Sequence, residues 1–499
     1  MDKILLGGGK EKVYLYTNML NRHGIIAGAT GTGKTVTLKV IAEQLSDLGV
    51  PIFLADVKGD IAGITSPGEM NDKLLDRIQK IGIEDFDFDS YPVEFWDVFE
   101  EQGLPVRATI SEMGPVMLSR LLGLNEVQQG VMNIAFKVAD ENGLLLLDMK
   151  DLKAILNYVN DHSKELQRQY GNISSASVGA ILRSLLLLEN EGADNFFAEP
   201  ALDIKDFFKT KDGKGVINIL TAEKLFNSPK LYSTFLLWML SEIYEELDEV
   251  GDLSKPRFVF FFDEAHLIFD DCPKPLLEKI ELIVRLIRSK GVGVFFVTQN
   301  PTDIPDSVAA QLGNRVQHAL RAYTPKEIKV VKAVSDTFRQ AEGENIEKQI
   351  MELSVGEALV STLDEKGIPT YVQRVLICPP KSSFGTIEAS KRLSIINSSP
   401  HYAKYSERID SESAYELLEI SAKRSELQAD EALKDEELRK KQLELEKKEK
   451  ELLEKERKKT TTTRRTDSNF DRFTKNMMST VGREFGRVIF RGIFGNLKK

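Results

Sequence analysis

Cysteine is nearly absent. Cys272 and Cys378 are the only two in 499 residues, and they lie far apart with no metal-ligand spacing. That argues against a disulfide-stapled scaffold and against a cysteine-based metal module. Histidine is also scarce, at five residues, and His266 and His318 read as structural side chains rather than ligands. No run of 18 or more apolar residues occurs, so no integral membrane segment is expected. The start, Met1-Asp2-Lys3 and then Gly7-Gly8-Gly9, lacks the apolar core of a secretory signal, which makes the cytoplasm the expected compartment. Positive charge is in deficit as well. The net charge of −10 argues against a whole surface built to neutralise phosphates. The exception is the end of the chain. From Lys455 to Lys499 there are 13 Lys/Arg against 4 Asp/Glu, net +9, which leaves the preceding residues at −19.

What is present is an alternation of short apolar, β-rich runs with helical stretches, the pattern of an α/β fold on a mainly parallel sheet. Strands are predicted over 24–28, 50–55, 215–220, 257–262, 293–298, 315–320, 358–362 and 371–377. Several are unbroken Val/Ile/Phe/Leu runs, as strands covered on both faces require. Helices are predicted over 35–48, 232–247, 274–289 and 325–334. Residues 67–210 are dominated by helical periodicity and leucine runs, as at 143–159 and 177–191, and read as a mainly helical insertion. It splits a core of 1–66 and 211–380.

Residues 381–459 read as a helical extension. From Ser425 onward Glu, Lys, Arg and Leu carry many opposite charges at i,i+4 spacing, the composition of a long solvated helix. Leu438, Leu445 and Leu452 recur every seven residues beside charged companion positions, so a coiled coil and a bare charged helix both fit. Residues 460–499 are a linker and a basic Gly/Arg-rich tail. On a helix its end would set Val481, Phe485, Val488, Ile489 and Ile493 against Arg483, Arg487 and Arg491. Such a tail suits packing on its own or a neighbouring subunit, or a basic contact with nucleic acid or a membrane surface.

The strongest motif is Gly28-Ala29-Thr30-Gly31-Thr32-Gly33-Lys34-Thr35, a match to G-x-x-x-x-G-K-[ST] between an apolar run and a helical stretch. Its glycines let backbone N–H groups converge on phosphate at a positive helix end. Lys34 is expected to bridge the β- and γ-phosphates of ATP, and the Thr35 hydroxyl to ligate Mg²⁺.

The apolar run 257–262 ends in Asp263-Glu264-Ala265-His266. A carboxylate at a strand's C-terminal end suits Asp263 to the same magnesium, and Glu264 to general-base work on the attacking water. These four letters match one helicase motif without assigning that superfamily. A third run, 291–298, ends in Gln299-Asn300, which places Gln299 to sense the γ-phosphate or the lytic water. Arg285 and Arg288 precede it, with Arg315 and Arg321 as rivals for a cation reaching a neighbouring subunit's phosphate.

At these motifs the chain resembles the HerA/FtsK group of ring-forming P-loop ATPases, and most closely the bacterial HerA-like (YjgR-like) family. The resemblance is carried by Asn21-Arg22-His23-Gly24 before the P-loop, Ala55-Asp56-Val57-Lys58-Gly59-Asp60, Phe262-Asp263-Glu264-Ala265-His266 and Thr298-Gln299-Asn300-Pro301. It implies a RecA-like (ASCE) P-loop NTPase core in a homo-hexameric ring, with ATP sites between subunits. It also favours Arg288, just before Gly291, as the trans-acting arginine. With so short a lead-in before Gly28, the N-terminal β-barrel of HerA helicases is expected to be absent, and the helical insertion is large. The function implied is an ATP-hydrolysing motor moving double-stranded DNA. The acidic body favours another reading: an ATP-driven protein assembly or remodelling factor, with its protein partner on the C-terminal helix and tail. A nucleotide-gated switch with negligible turnover is the third.

Overall fold

The computed structural model describes residues 2–270 and 274–460. The tail expected over 481–499, the linker after Thr460 and Cys272 therefore lie outside the described residues. Two compact units are present, Met1–Glu419 and Ile420–Lys499.

The strands of the first unit, in chain order, are β1 (Lys3–Gly8), β2 (Lys12–Tyr16), β3 (Gly24–Ala27), β4 (Ile52–Asp56), β5 (Val93–Asp97) and β6 (Leu104–Pro105). A short hairpin follows, β7 (Thr210–Lys211) and β8 (Lys214–Gly215). Then come β9 (Ile217–Thr221), β10 (Phe258–Phe262), β11 (Val292–Thr298), β12 (Asn314–Gln317), β13 (Glu357–Ser361) and β14 (Gln373–Ile377). Outside the hairpin they form one twelve-stranded sheet in the order β2-β1-β14-β13-β12-β3-β11-β10-β4-β9-β5-β6. From β12 to β6 neighbours run parallel, and β13, β14, β1 and β2 add an antiparallel wing.

The predicted strands are all there, because their sequences can do little else. Every residue of β4, β9, β10 and β11 is buried. An apolar side chain buried this way contributes about 1.5–3 kcal/mol, and β10 alone buries four phenylalanines. The predicted helices are found as Lys34–Asp47, Pro229–Glu246, Lys274–Leu286 and Pro325–Asp336.

Residues 67–210 are mainly helical, yet they also supply β5 and β6 to the main sheet. The core sheet thus continues into the segment read as an insertion: one helix, Asp72–Ile81, precedes β5, and the unbroken run of helices starts at Ile110–Leu121. The physical reason is Asn218. This buried side chain in β9 accepts from the Trp96 Nε1–H of β5 at 3.0 Å. It donates to the carbonyls of Ile52 at 3.0 Å and Phe207 at 3.1 Å.

The boundary at 381 also moves. Trp96 stacks edge-on to the buried ring of Tyr405, and the buried Arg107 guanidinium donates to the Tyr405 carbonyl at 3.0 Å. Residues 381–413 are therefore part of the first unit. The charged extension is one helix, Ala414–Thr460, on which Leu438, Leu445 and Leu452 are all exposed. Among the described residues no single helix is long and apolar enough to cross a membrane.

Removing the Asn218 amide strands a donor and two acceptors in the core. Asn218→Ala is expected to cost about 2 kcal/mol or more in urea unfolding followed by the fluorescence of Trp96 and Trp238. An unchanged midpoint would show that the amide does not tie β5 to the sheet.

Candidate nucleotide site

The C-terminal ends of the parallel strands gather the predicted residues. β3 runs directly into the P-loop, and β11 lies between it and β10. The loop's shape needs glycine. Gly31 has φ +75°, and a Cβ on Gly28 would stand 2.5 Å from the Cβ of His318. The loop is braced from below: the Ala29 N–H donates to the Ala319 carbonyl at 2.9 Å, and the Thr32 carbonyl accepts from the Gly356 N–H at 3.0 Å. His318 is part of this brace. Its Nδ1 faces the Glu357 carbonyl at 2.9 Å, its Nε2 faces the Thr37 hydroxyl at 2.8 Å, and burial lowers its pKa to about 4. A neutral ring with Nδ1–H donating satisfies both contacts. Lys34 opens the helix after the loop, and its ammonium folds back to donate to the carbonyls of Gly28 at 2.7 Å and Ala29 at 3.2 Å. Thr35 sits in that helix's first turn.

Gln299 joins the two halves of the site. The Thr30 hydroxyl donates to Gln299 Oε1 at 3.2 Å, and Gln299 Nε2 donates to both carboxylate oxygens of Glu264 at 3.2 and 3.3 Å. Glu264 is buried and held at φ +48°, a backbone region few non-glycine residues adopt. Its N–H donates to Asp263 Oδ1 at 2.9 Å, and His266 Nδ1 lies 3.4 Å from its carboxylate. Burial first, and the Glu264 charge second, push Asp263 up to about 7. A cation beside that carboxylate relieves both effects, so the residues present fit a magnesium ion shared by Asp263 and Thr35. Among the described residues no group of three or more His, Cys, Asp or Glu could hold a metal ion by itself.

Other residues belong here too. Asp56 ends β4 next to β10, and the parallel register carries it alongside Asp263. It accepts from the Ile61 N–H at 3.1 Å, and burial followed by Asp60 raises its pKa to about 6. The P-loop helix hides two charges that sequence reasoning missed. Lys39 donates to the Ser383 carbonyl, and burial lowers its pKa to about 8. Glu43 accepts from the N–H groups of Lys381 at 2.7 Å and Ser382 at 3.1 Å. The available signal was a Lys and a Glu among Leu38, Ile41, Ala42 and Leu45, on the helix's buried side.

The arginines lie elsewhere. Arg288 stands before β11, at the end of that strand opposite Gln299, with Asp252 3.6 Å away. Arg22, whose pKa is lowered by burial and then by Arg288, shares that end. Arg285 is exposed, whereas Arg315 donates to the Ala309 carbonyl at 3.1 Å and Arg321 to the Leu353 carbonyl at 3.0 Å. None of the four candidate arginines has a hydrogen bond to the P-loop of its own chain among the described residues.

The helicase HerA-like C-terminal family matches residues 3–499. The chain belongs to that family. Among relatives of this HerA-like chain is the DNA double-strand break repair helicase HerA of Sulfolobus acidocaldarius, 22% identical over 71% of the chain and 65% of the relative. The probable helicase MJECL08 of Methanocaldococcus jannaschii is 23% identical over 68% and 64%. The chain thus spans slightly less than two thirds of these relatives. Its fold is also that of the bacterial conjugative coupling protein TrwB, at a TM-score of 0.52 and 12% identity over 78% of this chain and 91% of that one. TrwB has also been solved with the ATP analogue ADPNP, at a TM-score of 0.51 and 14% identity over 78% and 96%.

Asp263 gives the site a pH dependence with a definite sign. Its folded pKa lies above the unfolded value, so its contribution to stability is full below about pH 4 and is lost as pH rises through about 7. Asp263→Asn removes this loss. The stability of the wild type relative to Asp263→Asn is expected to fall between pH 4.5 and 7.5 in parallel urea titrations. A difference that does not vary with pH would refute the raised pKa.

Proposed function

We propose that this chain is an ATP-hydrolysing motor of the HerA/FtsK type that assembles as a homo-hexameric ring and moves double-stranded DNA in the cytoplasm. The observation that carries the hydrolytic part is the hydrogen-bonded path Thr30–Gln299–Glu264, which runs from the phosphate loop to a buried carboxylate. The HerA relatives are DNA double-strand break repair helicases, which supports DNA as the substrate.

In this reading Gly28, Ala29, Thr30, Gly31, Thr32 and Gly33 present their N–H groups to the phosphates of ATP, and Lys34 leaves the loop carbonyls to neutralise the β- and γ-oxygens. Thr35 and Asp263 would hold a magnesium ion, which would supply Lewis-acid polarisation of the γ-phosphoryl group. Glu264 takes the proton of the attacking water, and Gln299 orients that water while reporting the γ-phosphate to the strand that carries it. Arg288 acts in the neighbouring subunit's site, which suits its distance from its own loop.

The acidic character of the first 454 residues favours the second reading, a protein assembly or remodelling factor reached through the C-terminal helix and tail. ATPase assays at low salt separate the two. Linear duplex DNA is expected to stimulate turnover in a salt-sensitive manner, and a rate indifferent to DNA would favour the protein substrate.

Within the site, Lys34→Ala is expected to abolish nucleotide binding, measured by fluorescent-nucleotide titration. Glu264→Gln should keep binding and lower kcat by about 10²-fold or more. A Glu264→Gln enzyme with near-normal kcat would leave only a nucleotide-gated switch.

A further inference from the structure

One helix of the acidic body carries a row of exposed lysines. Helix Pro325–Asp336 presents Lys326, Lys329 and Lys332 to solvent, three residues apart in sequence. Residues at that spacing are neighbours on a helix surface. From Lys326 to Lys332 the rise is about 9 Å, the span of two to three phosphates along one DNA strand. None of the three lysines forms an ion pair among the described residues. Tyr323, at the helix's approach, is 85% exposed. Of the two carboxylates on this helix, Asp336 stands at its last position, four residues after Lys332, and Glu327 is committed to the helix start: it accepts from the N–H groups of Tyr323 and Thr324, each at 2.8 Å. Its charge serves the helix's own N-terminus.

This helix is joined to the hydrolysis site. The chain leaves Gln299 through Asn300, whose side chain donates to Asp303 at 2.7 Å and accepts from the Thr302 N–H at 3.2 Å. The turn so formed, Pro301–Asp303, packs against helix Pro325–Asp336. Asp303 feels the charges of both His266, beside Glu264, and Lys326, on the basic face. A rigid turn of a few residues thus lies between the glutamine bonded to Glu264 and the lysines.

We propose that Lys326, Lys329 and Lys332, with Tyr323 beside them, grip the phosphate backbone of duplex DNA, and that the Asn300–Asp303 turn transmits movement of Gln299 to this grip. The proposal rests on the DNA-motor reading above and names its contact surface. Duplex DNA is the occupant the charge favours, because a phosphate backbone is what an isolated row of cations complements on an otherwise acidic molecule. A backbone contact of this kind carries no base preference, as a translocating motor requires.

The test uses the full chain and a short fluorescent blunt-ended duplex, with affinity measured from about 50 to 200 mM salt, alongside ATPase assays with and without DNA. The variants are the triple Lys326→Gln, Lys329→Gln, Lys332→Gln, and a tail control in which Arg483, Arg487 and Arg491 become Ala. The triple variant is expected to keep basal turnover within about twofold, lose DNA stimulation, and make the salt dependence of log K shallower by about 2 to 3. An unchanged melting temperature, expected for exposed side chains, shows that the variant is folded. Single Lys→Gln variants, each expected to lower the salt slope by about 1, serve if the triple one is unstable. If the wild type does not bind duplex at low salt, the DNA reading itself fails. If the wild type binds and the triple variant binds equally well, with the same slope, only the role of this face fails. Binding lost in the tail control but kept in the triple variant would also overturn it.

Discussion

The site depends on a strand order. β11 lies between the strand that feeds the P-loop and the strand that ends in Asp263-Glu264, and Gln299 stands at its tip. Two segments more than two hundred residues apart therefore meet across one amide side chain, which bonds to Thr30 on one side and Glu264 on the other. The sheet holds that meeting in place because these strands are apolar through their length and buried on both faces, so a slip in register would disturb the packing on both. The same geometry places Arg288 and Arg22 at the other end of β11. One strand thus has a carboxylate-linked amide at one tip and cations at the other.

Buried charge is the second theme. Near the P-loop Asp56, Lys39 and Glu43 are buried and Asp263 is half-buried, and burial is the leading cause of each pKa shift. Such groups are stable only when hydrogen-bonded or paired. The segment after β14 meets part of that need: Lys381, Ser382 and Ser383 supply backbone partners to Glu43 and Lys39. Arg392 continues the cover, donating to Thr221 at 3.1 Å and stacking 4.4 Å from the Phe95 ring. Residues beyond the sheet thus finish the helix that carries Lys34, which is why they cannot be separated from the core.

Much of this was legible in the sequence, for identifiable reasons. Long apolar runs such as 257–262 and 293–298 have one stable place, the middle of a parallel sheet, and the glycine-rich loop fixes its own geometry. β1 and β2 were not legible: an edge pair with exposed lysines and Gly7-Gly8-Gly9 lacks the hydrophobic weight that marks a central strand. β5 was hidden by the leucine-rich helices that follow it, because what holds it, the Asn218 amide, is a long-range contact. Lys39 and Glu43 went unread for the same reason, since a charged residue reveals a buried role only once its partners are known. The Gln299 link was anticipated as a role, while its two bonds needed the fold.

The central claim is that Gln299 and Glu264 act as one unit on the attacking water, and single-turnover hydrolysis of pre-bound ATP in a double-mutant cycle tests it most directly. With Gln299→Ala, Glu264→Gln and the double variant, the account predicts non-additive losses, the double variant falling no lower than Glu264→Gln alone. Losses that multiply, each change reducing the rate by its own full factor, would mean that the two side chains act independently and that the bridge between them has no part in catalysis.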